Sequence, residues 1–240
     1  YKLDSINSQQ VNADLIINET KALTISGNYD TNNKNSIGVT VDIPSLPLEA
    51  VNPFLSGMAG LQGSLKGNMK ITGNTDSPLI NGYLQLMSTS VNVPMIGTSF
   101  GFSSDQLKIV DNQILFQKYS INGPNKQPLV INGNVDFQEF SHILTNLSIT
   151  ATEFQLVNVS KNNKSMVYGK AFSDLDLTVN GAVDELKLRG NIGLLNGTDV
   201  TYVMQDSPLD IKQETQNMVI FVSFNDTTVV EEDSIPVSRI

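Results

Sequence analysis

The sequence predicts an all-β protein built of antiparallel strands. Three observations carry that prediction: apolar residues recur with a period of two almost throughout, turn residues punctuate the chain about every ten positions, and no stretch has the period of a long amphipathic helix. Composition agrees. Only 16% of residues are charged, and Asn, Ser and Thr supply the polarity instead. Short uncharged polar side chains suit the wet face of a strand and the turns between strands, where Asn tolerates positive φ, and suit helix interiors poorly.

In chain order, the alternation first becomes clear at Ile37, Val39, Val41 and Ile43. From Leu65 it places Leu65, Gly67, Met69, Ile71 and Gly73 on one face and Lys66, Asn68, Lys70 and Thr72 on the other. After a turn at Asn74–Pro78 it resumes with Ile80, Gly82, Leu84 and Leu86 against Asn81, Tyr83 and Gln85. Leu129, Ile131, Gly133, Val135 and Phe137 form a further strand signal. Leu175, Leu177, Val179, Gly181 and Val183 follow, then Leu186, Leu188, Gly190, Ile192 and Leu194, and finally Met218, Ile220, Val222 and Phe224. Asp111-Asn112, Gly123-Pro124-Asn125, Asn162-Asn163 and Asn196-Gly197 supply turns, which gives roughly fifteen to eighteen strands in all. One apolar and one wet face per strand is the signature of antiparallel meanders, not of parallel α/β sheets.

Helix is expected in two places at most. Residues 47–55 hold a single short turn, bounded by Pro44, Pro47 and Pro53. Phe137, Phe140, Ile143 and Leu144 offer a second helical spacing, which runs into a strand-like continuation at Leu147 and Ile149. No long helix is present to cover the apolar face of a sheet.

A loose repeat runs through the chain. Its unit, Leu-x-Gly-x-apolar-x-apolar-x-Gly, a turn, then apolar-x-Gly-x-apolar, is clearest at Leu65–Leu86 and returns at Leu175–Leu194. Repetition of this kind predicts an elongated stack of strands. Gly67, Gly73, Gly82, Gly133, Gly181 and Gly190 all fall on the apolar face. They fit the bends of a curled sheet with an incompletely filled interior, and equally the bulges and close contacts of an ordinary sandwich. Alternation alone leaves both open.

Several function classes are disfavoured. A net charge of −9 argues against nucleic acid, whose binding needs clustered Lys and Arg, and against an anionic membrane surface. The absence of cysteine removes disulfides, thiolate metal sites and thiol catalysis. His142 is the only histidine, so a multi-histidine zinc site is impossible and a nucleophilic triad has no spare base. Asp174, Asp176 and Asp184 stand singly on wet positions, and Glu231, Glu232 and Asp233 read as a solvated end. Asp30–Lys34 starts like a calcium loop but has Lys34 where an oxygen ligand belongs, and is expected to be a turn. The six Asn-x-Ser/Thr triplets are what chance delivers in so polar a chain. No catalytic residue, metal or cofactor is expected. The chain starts at Tyr1 without methionine and stops within a polar stretch, and it holds no secretory segment and no apolar run of the roughly 20 residues a spanning helix needs. Both ends read as boundaries within a longer chain, with any anchor outside it.

The unit at Leu65–Leu86, with Pro78 and Ile80 before Gly82, resembles the one found throughout AsmA-like and TamB proteins. The succession Leu107-x-Ile109, Asp111-Asn112, Ile114-Leu115-Phe116, Gly123, Pro128-Leu129, Gly133 and Phe137 is similar to the core of the TamB C-terminal domain. Phe154–Asn158, Tyr168-Gly169-Lys170 and the Gly181–Gly190 repeat continue it, so the resemblance covers most of residues 60–212. Tyr202–Gln205 departs from the pattern, since Pro208-Leu209 comes a few residues late.

The resemblance implies a periplasmic protein of the Gram-negative envelope, tethered to the inner membrane by a segment absent here. Its body would be a curled, taco-like sheet with an apolar groove and at most one short helix. It implies phospholipid acyl chains as cargo and an outer-membrane barrel assembly protein as partner. Residues 1–60 are expected to continue an upstream sheet, 61–225 to form the groove domain, and 226–240 to begin the next segment or a disordered end. The groove lining is expected to be Leu65, Met69 and Ile71; Ile80, Leu84 and Leu86; Leu129, Ile131 and Val135; Leu175, Leu177 and Val179; and Leu186, Leu188 and Ile192. The competing expectations are a scaffold for outer-membrane protein assembly, binding strands by β-augmentation, and a closed structural sandwich.

Overall fold

The computed structural model describes residues 8–30, 36–55, 59–161 and 167–203. Thirteen antiparallel strands are present among these residues: β1 (Ser8–Ile17), β2 (Thr20–Asp30), β3 (Ser36–Pro47), β4 (Gly60–Asn74), β5 (Pro78–Val93), β6 (Thr98–Phe102), β7 (Gln106–Val110), β8 (Gln113–Asn122), β9 (Pro128–Asp136), β10 (Leu144–Val159), β11 (Val167–Ala182), β12 (Lys187–Leu194) and β13 (Asp199–Tyr202). All belong to one sheet, in the order β1-β2-β3-β4-β5-β6-β8-β9-β10-β11-β12. β7 continues the path of β6 along the lower part of β5, and β13 continues β12 along β11. The all-β class and the antiparallel pairing are as the alternation predicts, and the single sheet is as the family resemblance implies.

The count is lower than fifteen to eighteen partly because β4, β5, β10 and β11 run for 15 or 16 residues each. Met218–Phe224, the Asp30–Lys34 turn beyond Asp30, the Asn162-Asn163 turn and residues 226–240 lie outside the described residues. β3 pairs with β4 from Ser36↔Asn74 to Pro47↔Ser64, so residues on both sides of position 60 share the sheet.

Residues 48–55 form a 3-10 helix, longer than the single turn expected, with no buried side chain. It stands where β3 would continue along β4. Asn52 replaces a strand there: its Oδ1 accepts the Leu61 N–H at 2.8 Å and its Nδ2 donates to the Leu61 carbonyl at 2.9 Å. Glu49 accepts the Gly63 N–H at 2.9 Å. Backbone N–H groups from Glu49 itself and from Gly63 hold its carboxyl below the usual carboxylate range. The Phe137–Leu144 segment forms turns and bends, not a helix.

Candidate functional site: the apolar face of the sheet

Strand register carries the apolar face without interruption across the sheet. One row of paired residues runs Ala13, Ile25, Val41, Met69, Gly82, Ile109, Ile114, Val135, Thr145, Gly181. A second runs Ile121, Leu129, Ala151, Leu175, Ile192. Residues directly opposite across an antiparallel pair share a face, so these rows are continuous strips of one surface.

The groove residues expected from the sequence fall on this face, with one exception. Leu65, Met69 and Ile71 oppose Leu86, Gly82 and Ile80, and Leu84 opposes Gly67 and Leu107. Leu129, Ile131 and Val135 oppose Ala151, Ile149 and Thr145. Leu175, Leu177 and Val179 oppose Ile192, Gly190 and Leu188. Leu186 is the exception: it sits in the turn before β12, half exposed, because Asn180↔Lys187 is the last pair of that hairpin.

Burial on this face is uneven, and two clusters anchor it. Val39, Val41 and Ile43 of β3 are buried among Leu23, Ile25, Met69, Ile71 and Leu84. Ala151, Phe154 and Leu175 are buried among Phe100, Leu129, Leu156 and Leu177. Between and beyond them most of the face is only half-buried, and at β12 it is open, with Leu188 60% and Ile192 57% exposed. Among the described residues no second sheet or long helix lies over it.

Curvature brings the second cluster together. Phe100 on β6 stacks on Phe154 of β10 at 5.8 Å between centroids, although β8 and β9 lie between them in the sheet. Three bulges drive the curl, each with a non-glycine residue in the left-handed region: Ser88 (φ 49°) on β5, Lys118 (φ 53°) on β8 and Glu153 (φ 51°) on β10. A bulge shifts the parity of everything after it. Strict alternation would set Thr89, Tyr119 and Phe154 on the wet face, yet each is among the most deeply buried residues. The freed N–H groups are taken up by outer-face side chains: Lys118 N–H by Asn132 Oδ1 at 2.9 Å, and Glu153 N–H by Asp174 Oδ1 at 2.8 Å. Asp174 is thus a structural acceptor, more than the solvated acid expected of it.

Tyr119 meets Phe116 edge to face at 6.0 Å and donates its hydroxyl to the Ser103 carbonyl at 2.7 Å. Burial, reinforced by the nearby Asp105 carboxylate, pushes its pKa up to about 12.

Of the bend glycines, Gly73, Gly82, Gly133, Gly181 and Gly190 adopt positive φ, and Gly67 does not. Gly133 shows why glycine is needed: at φ 122°, a Cβ there would fall on the Asn146 carbonyl of β10. Gly190 repeats this against the Asp176 carbonyl of β11. The two repeat copies match in three dimensions, since Gly82 opposes Met69 and Gly190 opposes Leu177, in each case four residues before the other glycine of its hairpin.

Asn112, which the sequence offers only as a turn residue, closes the lower part of β5. Its Oδ1 accepts the Ile80 N–H at 2.6 Å and its Nδ2 donates to the Pro78 carbonyl at 2.8 Å. Its own N–H reaches the Ile80 carbonyl at 3.1 Å. His142 is an exposed turn residue. Among the described residues no helix is long and apolar enough to cross a membrane.

These features define a class: β-proteins made of one curled sheet whose continuous apolar face is incompletely covered. Within that class the chain belongs to the TamB family, whose C-terminal domain model matches residues 117–238, just over half of the sequence. The match starts later and ends later than the 60–212 span of the motifs noted above. Comparison with curated proteins and with solved structures gives no match. Family membership makes this a cell-envelope protein with a general role in envelope biogenesis.

Proposed function

We propose that the chain is a non-catalytic lipid conduit whose apolar face holds phospholipid acyl chains between the two membranes. It acts in the periplasm, tethered to the inner membrane by a segment outside these residues. The observation that carries the reading is the unbroken apolar face from β1 to β12, half-buried over most of its area and open at Leu188 and Ile192. Each methylene removed from water contributes about 0.8 kcal/mol, so half an acyl chain supplies several kcal/mol before ordering costs. The lining residues are Leu, Ile, Val and Met, which hold a chain without fixing it in place, as release requires.

A photo-crosslinking residue at Leu84, Ile131 or Leu188 in the whole chain is expected to capture phospholipid, and one at the outward Lys66 or Thr72 is not. Leu188→Glu is expected to leave the circular dichroism spectrum unchanged while abolishing capture from Ile131. Equal capture from both faces, or none from the apolar face of folded protein, refutes the conduit.

A second reading, an outer-membrane protein assembly scaffold working with a barrel partner, is favoured by β12. All eight of its residues are exposed, and among the described residues its outer edge pairs with no strand. Such an edge accepts an extended segment by strand addition.

A further inference from the structure

The outer face of the sheet, opposite the apolar one, carries a cavity of about 410 Å³ lined by Asn125, Glu153, Phe172, Leu195 and Asn196. It exists because the ladders on both sides of β11 are irregular around residues 171–174: the β10 ladder is bulged on either side of the Gln155↔Phe172 pair, and the β12 and β13 ladders leave a gap at Phe172. On one side lies the β10 bulge, which holds Glu153 at φ 51°. On the other, β12 ends at Leu194 and β13 starts at Asp199. The chain between them is held to Phe172, whose carbonyl accepts the Leu195 N–H at 3.0 Å and whose N–H is donated to the Thr198 hydroxyl at 3.1 Å.

Phe172 stands between Ala171 and Ser173, both buried on the inner side, so alternation turns its ring outward into the gap. Asn125, from the β8–β9 turn, forms the rim. Its Nδ2 donates to the Glu153 carbonyl at 2.7 Å, and its Oδ1 accepts the Gln127 N–H at 3.2 Å. The Asp174 carboxylate, bonded to the Glu153 N–H, sits beside the cavity. The bulge is therefore fixed through the backbone, and the Glu153 side chain is not needed to hold it.

The lining combines an aromatic ring, a carboxylate, two amides and a leucine, with no Lys or Arg among the residues named. A ring face and a carboxylate attract the same partner, a cation. The volume lies in the range of small-molecule sites. A bare metal ion fits less well, since among the described residues no three His, Asp or Glu side chains come together to hold one. We propose that this cavity binds an organic ammonium group, with Phe172 as its platform and Glu153 as its counter-charge. The group is supplied either by a free amine or by an ammonium-bearing lipid headgroup. The site is separate from the apolar face, and the proposal stands whether or not that face carries lipid.

The test titrates the full chain with choline and ethanolamine, and with 3,3-dimethylbutan-1-ol as the uncharged analogue of choline, following the Phe172 ring by NMR. Saturable shifts are expected with the two ammonium compounds and none with the alcohol. Glu153→Gln and Phe172→Leu, checked for folding by circular dichroism, are each expected to weaken binding at least tenfold. Vesicles containing phosphatidylethanolamine then separate the sources: Glu153-dependent recruitment assigns the headgroup, and binding of the free amines without recruitment assigns a soluble amine. An alcohol that binds as well as choline, folded variants that keep full affinity, or no saturable shift with any probe would overturn the proposal.

Discussion

Replacing Asn112 by alanine tests how the sheet holds the edge of β5 that faces away from β4, beyond the last β5–β7 pair at Gly82↔Ile109. The side chain is 4% exposed and stands in for a neighbouring strand, satisfying the Ile80 N–H and the Pro78 carbonyl at 2.6 and 2.8 Å. Alanine removes both bonds. The orphaned, buried Ile80 N–H costs about 1–3 kcal/mol, and the lost bond to Pro78 about 1 kcal/mol more. Asn112 also sits at φ 64°, where alanine is disfavoured relative to asparagine by roughly 1 kcal/mol. The sum, about 3–5 kcal/mol, is a large share of the 5–15 kcal/mol typical of a folded domain. Urea unfolding followed by circular dichroism is expected to show the midpoint falling at unchanged slope. Asn112→Gly loses the same bonds without the backbone strain, so it should be the milder change by about 1 kcal/mol. A loss below about 1 kcal/mol for Asn112→Ala, or a glycine variant no better than alanine, would refute the assignment.

Gly133→Ala is expected to destabilise by at least about 2 kcal/mol, because it combines a φ of 122° with a collision on the Asn146 carbonyl. Gly101→Ala, where an added Cβ meets nothing within 4 Å, should be neutral within about 0.5 kcal/mol in the same unfolding assay. For Tyr119 the pKa is raised on folding to about 12, from an unfolded value near 10. Its contribution is therefore complete below about pH 10 and is lost as pH climbs through about 12. Urea midpoints measured along that range should fall more steeply for the wild type than for Tyr119→Phe, and parallel curves would count against the burial of this hydroxyl. Asp174→Ala leaves the Glu153 N–H without its acceptor and should cost about 1 kcal/mol, whereas Asp174→Asn, which keeps an oxygen there, should restore most of it. Hydrogen exchange at the Glu153 amide checks this directly.

The period of two at Leu65–Ile71, Leu129–Val135 and Leu175–Val179 determined by itself the all-β class, the antiparallel meander and the inner residues of the unbulged strand segments. A regular strand turns every second side chain to the same side, whatever surrounds it. The glycines at 133 and 190 were legible as special positions for a related reason, since both adopt positive φ against a neighbouring carbonyl, where another residue would be strained. Only the tertiary structure decided the rest. Thr89, Tyr119 and Phe154 read as wet by alternation and are buried, because a bulge changes parity through a local left-handed residue that Ser88, Lys118 and Glu153 do not advertise. The Phe100–Phe154 stack and the cavity around Phe172 depend on strands that meet only once the sheet has curled. Whether the apolar face is a closed core or an open surface was likewise undecidable from the pattern. Alternation reports which side of a strand is apolar, and only the packing of strands far apart in sequence sets how much of that side is covered.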